Sequence, residues 1–156
     1  MKTRFFEQCE ETVLVVFPDL DRNSIARHSY PMGSAQYSFA ISGVKVTIYL
    51  DRGTLGCFLE AVSGSIGNVE LHQIRRRYSA TDSDEEDQSP VGFVTFIRDN
   101  LAYLAADFAE LGQDRMPARL KNVQFTPPLE LLSRKAEETL KRSKGGAAPT
   151  REGGQK

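Results

Sequence analysis

Between Ala35 and Ala61 the chain adopts a period of two, and this alternation limits the possible folds more than any other feature. Tyr37, Phe39 and Ile41 alternate with Gln36, Ser38 and Ala40; after Ser42-Gly43, Val44, Val46, Ile48 and Leu50 alternate with Lys45, Thr47 and Tyr49. Side chains of a strand point to opposite faces in turn, so each run has one apolar face, and Ser-Gly supplies a tight turn between them. A second turn at Asp51-Arg52-Gly53 leads into a third run, with Leu55, Cys57, Leu59 and Ala61 opposite Thr54, Phe58 and Glu60. The three runs predict an antiparallel meander with one buried and one wetter face. Residues 64–68 read as a Gly/Ser loop, and Val69 to Tyr78 as an ambiguous fourth strand, with helix left open.

Helical period surrounds this block. Phe5, Phe6, Cys9, Val13, Val16 and Phe17 recur at spacings of three and four, which predicts a helix from about Thr3 to Val16, stopped by Pro18. The end of that segment, Val13 to Phe17, also suits a short strand because three of its residues are Val. Asp19 to Ser34 reads as a connection with a turn of helix. After an acidic loop, Ser89 is a candidate N-cap, Pro90 fits the first helical position, and Val94, Ile97, Leu101, Leu104, Phe108 and Leu111 form a stripe that Gly112 closes. A helix of about 21 residues would span about 32 Å, enough to cross a sheet of four strands. Phe93, Phe96 and Tyr103 widen its apolar stripe toward a second face, to be buried by the N-terminal helix or by a partner, and the same flank is a candidate dimer interface. A short last helix is expected from Pro127 or Pro128, with Thr126 as N-cap and Leu129, Leu132, Ala136 and Leu140 inward.

The fold class read from these patterns is α+β: a meander of three to four strands packed against a long amphipathic helix and an N-terminal helix, with a short C-terminal helix. One domain is expected over 1–143, in keeping with 156 residues and an ordinary 40% hydrophobic content. Residues 144–156 have no large apolar side chain to bury and read as a disordered, basic, Gly-rich tail. Cys9 and Cys57 are too few for a disulfide framework and read as buried thiols. The first residues are basic as in a signal peptide, but Glu7, Glu10 and Glu11 interrupt any hydrophobic stretch, so a cytoplasmic, bacterial-type protein is expected.

Formal charge is divided along the chain. Met1 to Asp114 carries 10 Lys/Arg against 17 Asp/Glu, and Arg115 to Lys156 carries 10 against 4, so −7 and +6 nearly cancel. Arg75, Arg76 and Arg77 are followed closely by Asp82, Asp84, Glu85, Glu86 and Asp87. Such a pattern favours electrostatic choice of a partner. The acidic run also cancels much of the attraction of the Arg triplet for phosphate, which argues against nucleic acid.

Catalytic and metal patterns are missing from the sequence. Cys9, Cys57, His28 and His72 lack the short spacings of a zinc site. Asp82 to Asp87 lacks the central Gly and distal Glu of an EF-hand, Gly64-Ser65-Ile66-Gly67 is not a nucleophile elbow, and the glycines match no phosphate loop. No catalytic residue, metal or cofactor is therefore assigned. The leading expectation is a non-catalytic protein-binding protein whose acidic surface, Asp82, Asp84, Glu85, Glu86 and Asp87 beside Arg75, Arg76 and Arg77, meets a basic partner. Immunity proteins that cover the cationic site of a toxin act in this way, although no motif identifies that family. The alternatives are a small-ligand or enzymatic cleft between sheet and long helix, with Tyr37, Tyr49, Glu60, His72 and Arg75 as its residues, and a small acidic chaperone-like homodimer.

Overall fold

Ser42 and Gly43 take φ of 51° and 79°, and Arg52 and Gly53 take 51° and 84°. Two consecutive residues of positive φ make the turn whose twist matches that of flanking strands. These turns set the registers of β2 (Ala35–Ile41), β3 (Val44–Asp51) and β4 (Thr54–Ala61). In β2 and β3 Ile41 stands opposite Val44, and in β3 and β4 Asp51 stands opposite Thr54. The structure, a computed structural model, describes residues 2–78 and 87–127.

The expected meander is present and larger than the sequence suggested: the sheet has five antiparallel strands in the order β1-β2-β3-β4-β5. The connection expected over Asp19 to Ser34 contains β1 (Ala26–Ser29), which pairs with Tyr37 and its neighbours on β2, and two 3-10 turns, Arg22–Ser24 and Pro31–Gly33. Arg27, His28 and Ser29 are exposed, so this edge strand has no apolar alternation by which to be recognised. The segment from Val69 to Tyr78 is not a fourth strand throughout. Only Asn68–Glu70 pairs, as β5, and α2 (Leu71–Tyr78) follows at once. Val69 and Leu71 fit a period of two, whereas Leu71, Ile74 and Tyr78 fit a helix, and burial of Leu71 and Ile74 decides the matter.

α1 (Lys2–Val16) is helical to its end and buries Phe5, Cys9 and Val13 against the sheet and the helix after the acidic loop. The expected long helix is two: α3 (Pro90–Asp99) and α4 (Leu101–Leu111). Asn100 separates them with φ −116° and ψ 17°, and its Nδ2 donates to the Phe96 carbonyl at 2.9 Å. An Asn side chain that competes for the backbone carbonyl breaks a helix in this way. Ser89 is the N-cap, its Oγ accepting from the Gly92 N–H at 3.1 Å.

The core face of the sheet carries Tyr37, Phe39, Val46, Ile48, Cys57 and Leu59, covered by α1 and by Val94, Ile97, Leu104 and Phe108. Each such fully buried side chain contributes about 1.5–3 kcal/mol. The chain divides into two units, Met1–Thr126 and Pro127–Lys156. The first closes with Val123 and Leu120 in the core and Thr126 bridged to Asn68. The expected C-terminal helix, the 143/144 boundary and the tail lie outside the described residues. Among the described residues no helix is long and apolar enough to cross a membrane.

Candidate functional site

Tyr49 of β3 faces Gly56 of β4 on the side of the sheet away from the core. A Cβ at Gly56 would lie 2.2 Å from the Tyr49 ring, so only glycine lets this ring lie across the neighbouring strand. The ring reaches Glu70, the last residue of β5, and its hydroxyl is shared between Oε1 and Oε2 at 3.2 and 3.3 Å. Because Leu71 and Ile74 then enter the core, α2 departs from the sheet and carries His72 and Arg75 past the outer side of β4. Gln88 and Phe93 close the far side. Together with Leu55, Gly56 and Cys57 they line a cleft of about 320 Å³.

Its charges are arranged in a definite order. Burial raises the Glu70 carboxyl above the usual carboxylate range, while the Tyr49 hydroxyl and the field of His72 pull it part of the way back. Tyr49 is pushed up to about 12, first by burial and then by Glu70. Burial likewise raises the Cys57 thiol, so it stays protonated at neutral pH and is no nucleophile. Arg75 is buried. Its guanidinium donates to the Asp87 carbonyl at 3.0 Å and lies 5.6 Å from the rings of both Phe93 and Phe96. It therefore binds the end of the acidic run to the wall of the cleft and fixes Gln88 beside it. A second recess of about 370 Å³ meets the first at Tyr49 and Glu70, lined also by Tyr30, Gln36, Asp51, Phe58 and Thr126.

Of the residues expected in such a cleft, Tyr49, His72 and Arg75 come together. Tyr37 does not. Its ring is wholly buried on the core face, where it shares the parity of Phe39, and its hydroxyl has no partner. Glu60 lies further along β4 and pairs with Lys45 at 3.7 Å. Arg76 and Arg77 are exposed on α2, turned away from buried Arg75, so the triplet is not one patch. Asp87 is the one member of the acidic run within the described residues; Asp82, Asp84, Glu85 and Glu86 lie outside them. Asp87 Oδ1 accepts from the Ser89 N–H at 3.0 Å, which ties it to the start of α3. Of the flank read as a dimer surface, Phe93 is spent in the core and Tyr103 is half exposed beneath Arg119 at 4.6 Å. Among the described residues no three His, Cys, Asp or Glu side chains assemble as metal ligands.

Glu70 and Gln88 are the polar lining residues that sequence reasoning missed. Glu70 became visible only once Val69 to Tyr78 was divided into strand and helix. Compared with family models, curated proteins and solved structures, the chain matches none.

Proposed function

We propose that this chain is a non-catalytic, cytoplasmic binding protein whose recognition site is the cleft beside β4, taking a ligand that presents a cationic group to Glu70. The observation that carries this reading is a partly buried carboxylate held by a phenol in a cleft with converging polar groups. Two reduced, buried cysteines support the cytoplasmic part. The test is thermal stability in the presence of a panel of small amines, amino acids and nucleotides, for the native chain and for Glu70→Gln. A ligand at a hundred times its Kd adds about 2.7 kcal/mol to stability. At least one cationic compound is expected to raise the Tm of the native chain and to lose that effect in the variant. A panel without effect, or an equal effect on both proteins, would overturn the reading.

A second reading, docking of a basic protein onto Asp82 to Asp87 in the manner of an immunity protein, is favoured by the anchoring of Asp87 through Arg75 and Ser89. It predicts binding that weakens steeply with salt and is lost when Asp82, Asp84, Glu85 and Glu86 are replaced by Ser. Binding indifferent to both would remove it.

A further inference from the structure

The second recess, on the face of the sheet away from the core, has a chemistry of its own. Gln36 stands opposite Tyr49 in β2 and β3, Tyr49 opposite Gly56 in β3 and β4, and Phe58, two residues on, opposite Glu70 of β5. Opposed residues share a face, so these side chains lie together. The end of the Tyr49 ring takes the place of a side chain at Gly56, where a Cβ would lie 2.2 Å from its Cζ. Its ring thus comes to 6.0 Å from that of Phe58, centroid to centroid, with 34° between the planes, and the two make one aromatic surface. Tyr30, 42% exposed beyond β1, stands at the rim, and its hydroxyl donates to Gln36 Oε1 at 3.4 Å. The three rings line about 370 Å³ together with Asp51 and Glu70, and among the described residues no Lys or Arg lines it. Its charge is therefore negative, on an aromatic floor.

We infer that this recess binds a methylated ammonium group, which lies against the rings of Tyr49, Phe58 and Tyr30 and is balanced by the carboxylates of Glu70 and Asp51. This rests on Glu70 receiving the cation, as proposed above, and it gives the class of that cation and the side from which it approaches. The acceptors that a primary ammonium needs for its three protons already receive hydroxyl groups: both oxygens of Glu70 from Tyr49 at 3.2 and 3.3 Å, Asp51 Oδ1 from Ser34 at 2.8 Å, and Gln36 Oε1 from Tyr30. A primary ammonium would leave water without equivalent bonds, which costs free energy. A nitrogen whose protons are replaced by methyl groups donates nothing, and its charge is attracted to ring faces and to nearby carboxylates; aromatic sites recognise quaternary ammonium in this way. Tyr49 and Glu70 also line the cleft beside β4, so a ligand headed by this group can continue toward Leu55, Leu71 and Phe93, which are apolar. A free quaternary ammonium compound and a trimethylated lysine side chain present the same group, and the test separates them.

The test uses the full chain and calorimetry with three compounds: choline; ethanolamine, which lacks its methyl groups; and 3,3-dimethylbutan-1-ol, which has its shape without its charge. Choline is expected to bind more than about tenfold more tightly than either. Tyr30→Leu and Phe58→Leu should each weaken choline by about threefold to thirtyfold, the range of a single cation–π contact, while Tyr30→Phe, which keeps the ring, should stay within about threefold of the native chain. Tyr30 is at the exposed rim, so its variants test the site without disturbing the core. Tighter binding by a capped trimethyllysine than by choline would assign the group to a protein side chain, and weaker binding to a free compound, with the recess as the site in both cases. Ethanolamine or the neutral alcohol binding as well as choline, or choline binding equally to the native chain and both Leu variants, would overturn the inference and leave Glu70 to receive a cation from the cleft beside β4. Absence of binding by choline, by trimethyllysine and by every small amine would remove both.

Discussion

At the scale of single residues, two tyrosines of the same sheet have opposite fates. Tyr37 lies on the core face with an unpartnered hydroxyl, and burial, reinforced by Glu10, pushes its pKa up to about 12. A buried hydroxyl without a hydrogen bond costs more than it returns, so Tyr37→Phe should raise stability by about 1 kcal/mol in urea unfolding. A loss of similar size would show that the hydroxyl is satisfied in solution. Tyr49 has its hydroxyl on Glu70 and belongs to the cleft. The difference was legible in the sequence, because Tyr37 has the parity of Phe39 and Ile41, and Tyr49 that of Lys45 and Thr47. Glu70 itself supplies a test by pH. Its pKa is raised on folding, so the folded chain holds that proton more tightly than the unfolded one. The resulting stability is full below the ordinary carboxylate pKa and is lost as pH rises through the raised value. Glu70→Gln keeps an acceptor for Tyr49 and removes the charge. Its Tm relative to the native protein should rise between acid and neutral pH; a difference that stays flat or falls would contradict the assigned burial.

Elements join through one polar cluster. Tyr78, at the end of α2, donates to Asp107 Oδ2 of α4 at 2.6 Å, and Arg119, in the 3-10 turn Ala118–Leu120, donates to both oxygens at 3.0 and 3.3 Å. Asp107 is 4% exposed, so it is a buried charge held by two donors from distant parts of the chain. Burial and this bond raise the Tyr78 pKa. Asp107→Asn should cost about 1–2 kcal/mol and speed hydrogen exchange in α2, since α2 carries one wall of the cleft. Unchanged exchange in Leu71 to Tyr78 would show that α2 is held without the cluster. None of these links could be read from sequence spacing, because they connect residues 29 and 12 positions apart. The three long strands and the helix stripes were legible, as each repeats its period several times. β1 and β5, of four and three residues, are too short to show a period and exist through pairing with longer neighbours. The break at Asn100 was hidden because the apolar stripe continues through it, from Ile97 to Leu101 and Leu104.

For the whole molecule, the division of charge changes meaning once the fold is known. The described residues hold 13 Lys/Arg and 13 Asp/Glu, so they carry no net charge together, and the acidic surplus of the first 114 residues is concentrated in Asp82, Asp84, Glu85 and Glu86. Broad steering of a basic partner has little support from such a surface. Local recognition is better supported, at a cleft that holds a partly buried carboxylate bonded to a phenol. The direct test is a backbone amide chemical-shift map of the labelled chain, titrated with the small amine that raises its Tm most. The account predicts the largest changes at the residues that line the cleft, Gly56, Glu70 and His72 among them, and their loss in Glu70→Gln. Largest changes elsewhere, at the β1 edge from Ala26 to Ser29 for example, or an unchanged map at saturating amine, would contradict it.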